Sequence, residues 1–330
     1  MFWNATSYAA QAVNWVDERG ADVVVILAKA TFVRRGTDWV RADEQLPIRM
    51  ADVPTHPEAV AEGRESSVRY PSDLGGVKSG ADVVVVGEAI SPRPTRTIDI
   101  AVRAPGKKVA IRVHGERCFY KGPLGIKLGP ATPFERIPVS YERAYGGASQ
   151  DGAIVDWRNP AGRGVFKSES ELDGAPAPCI EDPARPIEGA EAVTPVSLGA
   201  IAMWWSPRKD LGGTMDDAWR ATRMPLPPRD FDRRFYQVAS PQLQMDRPLQ
   251  EGDVLAVSAM SEGGLCDVTV PALPLVAHLR RNDGSNVAVR FAIDTAVLEP
   301  TEGRVAFTLR QIAPLGRGRT LLREVRLDVD

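Results

Sequence analysis

Carboxylates set among aromatics give this chain its most reactive-looking stretch. Asp216, Asp217, Asp230 and Asp232 lie close in sequence to Trp204, Trp205 and Trp219. A glycosidase needs two carboxyls beside rings on which a sugar can stack. Asp216 with Asp230 or Asp232 is therefore the candidate pair for a carboxylate-dependent hydrolase. The same residues have a plainer use, as caps at helix starts and as packed rings, and that use is preferred here.

Other chemistries find less support. His56, His114 and His278 are isolated, and no pair has zinc-ligand spacing. His114, on an apparent strand with Ile111 and Val113, reads as structural. Cys118, Cys179 and Cys266 are sparse and odd in number, which suits a reducing compartment and small buried side chains. His114 and Cys118 on one strand would stand about 13 Å apart, too far for proton transfer. Neither a nucleophile elbow nor a phosphate-cradling glycine loop occurs. The expectation is no catalysis, no metal and no cofactor.

Charge and hydropathy narrow the class. The 330 residues carry a formal net charge of -2, which argues against a general nucleic-acid binder. The longest apolar runs, Val23–Ala28 and Val83–Val86, are too short to span a bilayer, and Met1 to Gln11 lacks a signal-peptide pattern. A cytoplasmic protein is expected, without membrane insertion.

The elements that must position any site are mostly strands. There are 29 glycines and 27 prolines, an excess that means many turns and few long helices. Asp22–Val33 and Trp39–Arg41 flank a turn, as do Thr97–Val102 and Lys107–His114. Ala81–Ile90 is a further β-branched run. Later hairpins are predicted from Asp253–Met260 with Leu265–Val270, Leu275–Arg281 with Asn286–Ile293, and Thr295–Leu298 with Arg304–Gln311. Val287, Val289, Phe291 and Ile293 alternate as on a strand with one buried face. Short helices are expected over Met215–Arg223, capped by Thr214, and over Asp230–Ala239, with Phe231 and Phe235 on one side. The fold expected is mainly β: antiparallel hairpins in a sandwich or barrel-like arrangement, a few short helices and a long irregular middle segment. One globular unit over 1–330 is expected, its strand-rich halves 1–145 and 197–330 joined by the irregular segment 146–196.

Particular blocks carry more than composition does. Residues 133–147 read PFERIPVSYERAYGG. In order along the chain stand Lys78-Ser79-Gly80-Ala81-Asp82-Val83, Gly115-Glu116-Arg117, Asn159-Pro160-Ala161-Gly162-Arg163-Gly164, and a long block with Trp205-Ser206-Pro207-Arg208, 213–219 and Pro225 to Phe235. Together these resemble a bacterial family of type VI secretion accessory proteins, catalogued as domain of unknown function twenty-one sixty-nine. Glu116 stands where the family usually has Asp, Phe119 where Trp is frequent, and Cys179-Ile180 where Asn-Leu is usual. The resemblance implies an adaptor or chaperone that binds a secreted effector and helps load it on the spike or tip protein.

Physically, the blocks mix the residues that pin irregular loops with those that dominate interfaces. In the pinning role, Arg117, Arg143 and Arg208 fork onto carboxylates or carbonyls, Gly146 and Gly147 take unusual backbone angles, and Trp219 and Phe231 fill the core. In the interface role, the partner-binding candidates are Tyr141, Glu142, Arg143, Tyr145, Asn159, Arg163, Trp205, Arg208, Asp216, Trp219 and Asp230. A β module that binds sugar or a cell surface through exposed aromatics is a third possibility beside adaptor and hydrolase.

Overall fold

A computed structural model of the chain describes residues 1–123 and 125–329. It is mainly β, with many antiparallel sheets and few short helices, and among the described residues no sheet closes into a barrel. The longest strand, Asp22–Arg35, is buried on both faces over most of its length. That explains its near-continuous apolar sequence where a half-exposed strand would alternate. It lies between Ala9–Val16 and Arg304–Pro314 and also pairs with Asp38–Arg41; Ala292–Glu299 and Asp82–Val85 complete the sheet. Strands from the two ends of the sequence therefore share one sheet. Asp82–Val85 joins it in parallel.

Two further sheets cover this one. The four-stranded sheet runs Phe2–Asn4, Leu322–Val329, Leu275–Arg281, Asn286–Arg290. Its Ala277, Leu279 and Val325 pack on Val24, Ile26 and Ala313. The five-stranded sheet runs Ile180–Glu181, Lys107–His114, Thr97–Ala104, Val254–Ser258, Leu265–Thr269. Its Ile100, Val102, Ile111 and Val257 join the main core with Ala28, Ala30, Val83 and Phe307.

A ring of buried charge sits inside this core. Lys29 pairs with Asp73, Lys78 with Asp82, and Arg310 with Asp294. Asp73 also accepts from the Thr308 hydroxyl, and Arg310 reaches the carbonyls of Asp73 and Gly75. The loop 73–78 is thereby tied to the central sheet. Burial pulls the Lys29 ammonium below its ordinary pKa even against the attraction of Asp73. Gly80 is required next to this ring, because a Cβ there would lie 1.9 Å from the Met245 carbonyl oxygen.

Several expectations need correction. The run Ala81–Ile90 is two strands, Asp82–Val85 and Glu88–Thr95, broken at Gly87. The alternating run to Ile293 is also broken: Asn286–Arg290 is a sheet edge with Val287 half exposed, and the chain changes sheet at Phe291. An edge strand has a neighbour on one side only, so its apolar residues are less covered. The helix predicted from Met215 covers Asp217–Thr222, and its cap is Asp216, whose side chain accepts from the Trp219 N–H; Thr214 lies outside it. Asp230–Ala239 forms only a 3-10 turn, Arg233–Tyr236, although Phe231 and Phe235 do pack at 5.5 Å. Trp219 and Phe231 are half-buried rather than in the core. Cys179 and Cys266 are buried, but Cys118 is exposed.

Candidate functional site

The segment Tyr141–Gly147 is the hub that organises the site. Buried Asn159 donates from Nδ2 to the Tyr141 and Tyr145 carbonyls, each at 2.8 Å. Its own carbonyl accepts the Gly147 N–H at 2.7 Å. Gly146 has φ 141°, and a Cβ on it would lie 2.2 Å from the Asn159 carbonyl oxygen. Thus the Asn-Pro block and the Tyr-Gly-Gly block form one interlocked pair of loops. We expect Asn159→Ala to destabilise the fold by about 2 kcal/mol, because the Tyr145 carbonyl loses a donor and the Tyr141 carbonyl keeps only the Ala144 N–H. A urea-unfolding midpoint equal to that of the parent protein would contradict this account.

Charge completes the knot. Arg163 donates to the Glu142 carbonyl at 2.9 Å and to Glu116 at 2.7 Å, and Arg143 bonds the other Glu116 oxygen. Burial pushes the Glu116 carboxyl up, but the bonds from Arg163 and Arg143 outweigh it and hold the group below its ordinary value. Glu142 points the other way and accepts from the Ser67 N–H and hydroxyl, both at 2.8 Å. Tyr141 meets Trp205 edge to face at 5.8 Å, and both are buried.

Above this knot opens a groove of about 630 Å³. Its walls are Val85–Glu88 and Pro138–Arg143, the Ser67–Arg69 segment, and Glu299, Thr301 and Glu302. Tyr141, Glu142, Arg143 and Arg163 line it, beside Arg69, Glu88 and Glu302. Arg69 and Glu302 are exposed. Most of the other charges are already paired: Glu88 with Arg136, and Glu299 with Arg304 and Tyr70. This is a mixed-sign trough whose walls also carry apolar residues such as Val86 and Pro138.

The other candidates lie elsewhere or below the surface. Tyr145 and Asn159 are buried supports of the groove. Trp205 donates to Glu65 at 3.2 Å. Arg208 is buried, bonded to the carbonyls of Phe235 and Ile201. Asp216, Trp219 and Asp230 do not line the groove. Asp216 caps a helix, Asp230 accepts from the Thr214 N–H and hydroxyl, and Asp232 caps a turn and pairs with Arg234. The Trp219 indole donates to the Leu226 carbonyl. Each carboxyl of the hydrolase pair is thus engaged in holding its own loop. Among the described residues no cluster of three His, Cys, Asp or Glu is placed to hold a metal.

Sequence reasoning missed Ser67, Arg69 and Glu299 as groove residues. They stand outside the quoted blocks, and only the pairing of distant segments brings them here. Glu116 was visible within a block, but its two arginine partners could not be read from spacing. His114 is bonded to Glu181 at 2.8 Å and to Thr97 at 3.0 Å, as a structural histidine would be.

A profile described as an uncharacterized protein conserved in bacteria (DUF2169) matches residues 19–310. The chain belongs to this family. The whole lining of the groove, from Thr55 to Glu302, falls within the matched residues. No curated protein and no solved structure matches the chain. Among the described residues no helix is long and apolar enough to cross a membrane.

Proposed function

We propose that this DUF2169 protein is a cytoplasmic adaptor or chaperone of type VI secretion, which binds an effector and helps load it on the spike or tip protein. The observation that carries the reading is the groove above the Tyr141–Gly147 knot. It is open, walled by strand ends and the turns between them, and lined by charges of both signs together with apolar side chains. Such a surface offers a polypeptide apolar contact and charge contacts for specificity. The family resemblance of the blocks that build it supplies the secretion context. The role proposed is non-catalytic: Asp216 and Asp232 serve as caps, and Asp230 holds Thr214.

The test is co-purification of the full chain with the spike, tip and effector proteins encoded beside it. Binding to none of them, with secretion unchanged on deletion, would sink the reading. Arg69 is exposed on the groove wall and lies over its neighbour Tyr70 at 5.4 Å. Arg69→Glu is therefore expected to weaken partner binding about tenfold by charge reversal while leaving the melting temperature nearly unchanged. Unaltered affinity in a titration would remove the groove from the interface. A sugar- or surface-binding module has one observation in its favour, the exposure of Trp157 and Trp204, 50% and 45% respectively. Glycan binding that is lost on replacing those two residues would favour it.

A further inference from the structure

Arg208 is a buried cation without a bonded carboxylate. It is 9% exposed, and its guanidinium donates from Nε to the Phe235 carbonyl at 2.8 Å and from Nη1 to the Ile201 carbonyl at 2.9 Å. The Phe235 ring lies 5.2 Å from its centre. Among the described residues no acid comes within salt-bridge distance of it. The acids that act on it through space are Asp52 and, less strongly, Asp82. Asp82 serves Lys78 and the N–H groups of Val238 and Ala239, whereas Asp52 accepts from the Ser72 N–H on one oxygen and keeps its buried second oxygen without a partner. Neutral carbonyls compensate a desolvated guanidinium only in part.

Beside this cation is a pocket of about 150 Å³. Arg208, Gln237 and Gln244 line it with Ile201, Leu211 and Pro241, and Arg234 is at its wall. The volume is about half that of the smallest pockets that take whole drug-sized ligands, so it suits one functional group. Its walls are mainly apolar, and its polar lining comprises the Arg208 guanidinium, bonded through Nε and Nη1, and two side-chain amides. Gln244 already gives its amide to the Ala239 carbonyl, and Gln237 makes only a long contact, 3.4 Å, to the Met245 carbonyl. Arg234 is paired with Asp232 and so adds a partly neutralised positive charge.

We propose that this pocket is a carboxylate-binding site in which Arg208 is the anchoring cation. A planar carboxylate matches the fork of the guanidinium, and the two glutamines can turn an N–H toward its outer oxygen. The carboxylate has two chemical sources: a small free acid, or an acidic side chain or chain end of a bound polypeptide. The site stands apart from the groove, and the inference does not rest on the adaptor reading.

The experiment uses the full chain labelled with nitrogen-15 arginine. Sodium acetate is titrated at constant ionic strength against sodium chloride, and the Arg208 side-chain resonance is followed. A saturable shift with acetate and none with chloride is expected. Gln244→Leu, at a half-buried position beside the core residues Leu243 and Met245, and Arg234→Ala, at an exposed one, are each expected to weaken acetate binding about tenfold, with the melting temperature of each variant confirming that it is folded. A parallel arm uses a short neutral peptide bearing one aspartate. Tighter binding than acetate assigns the carboxylate to a polypeptide, and equal or weaker binding assigns it to a small acid. If acetate gives no saturable shift, or acts equally on the parent protein and on both variants, the pocket is not a carboxylate site. Arg208 would then be balanced by Asp52 and Asp82 at a distance.

Discussion

Asp82→Ala is expected to remove about 3–5 kcal/mol of folding stability, the usual cost of breaking one side of a buried ion pair. The carboxylate is fully buried. One oxygen takes the Lys78 ammonium at 2.6 Å and the Val238 N–H at 3.0 Å, and the other takes the Ala239 N–H at 3.2 Å. Removing it leaves a buried ammonium and two buried backbone donors short of an acceptor. Lys78 retains Thr295 at 2.6 Å and Asp294 at 4.0 Å, which limits the loss. The exposed pair Arg35–Asp43 is the control: Asp43→Ala is expected to cost under about 1 kcal/mol. Chemical denaturation followed by tryptophan fluorescence reads both. A loss for Asp82→Ala as small as that for Asp43→Ala would mean that water reaches the pair and that the ring of charge does not hold the 73–82 segment in place.

The second large effect depends on pH. Glu181 is bound by His114 at 2.8 Å, by Arg117 at 2.9 Å and by the Ile187 N–H at 3.1 Å. Burial pushes its carboxyl up, but these three partners outweigh burial and bring it down from 4.5 to about 2. A carboxyl held lower in the folded state than in the unfolded one stabilises the fold at any pH above its ordinary value. That contribution fades as pH falls from about 4.5 and is lost through about 2. Glu181→Gln is therefore expected to be about 2 kcal/mol less stable than the parent at neutral pH, once screening by nearby solvent is allowed for. The gap should close steadily below about pH 4.5. A difference that stayed constant from pH 7 to pH 3 would show that lost packing, not lost charge, causes the destabilisation.

Both effects concern residues whose local setting the sequence described well and whose partners it did not. Lys78, Gly80 and Asp82 stood out as a block that enters a strand. That Asp82 would reach Lys78 four positions back, and then the backbone of Val238 and Ala239, follows from bringing residue 82 beside residue 238. His114 was legible as structural from its place on an alternating strand. Its tie to Glu181 needed the two-residue strand Ile180–Glu181 to add at the edge of Lys107–His114, and nothing in so short a segment announces a strand. The hydrolase candidates failed in the opposite way. Asp216, Asp230 and Asp232 were close in sequence, but each found a donor within its own loop before any of them could face another.

The sequence by itself determined the β character, the main hairpins, the family and the glycine positions of the knot. These depend on contacts between neighbours: alternation, turn residues and backbone angles are local physics. Only the tertiary structure decided which charges meet, that Tyr145, Asn159, Trp205 and Arg208 are buried, and that Tyr141, Glu142, Arg143 and Arg163 gather at one groove. Those outcomes depend on pairings between segments tens to hundreds of residues apart, and an isolated residue type does not encode its distant partner.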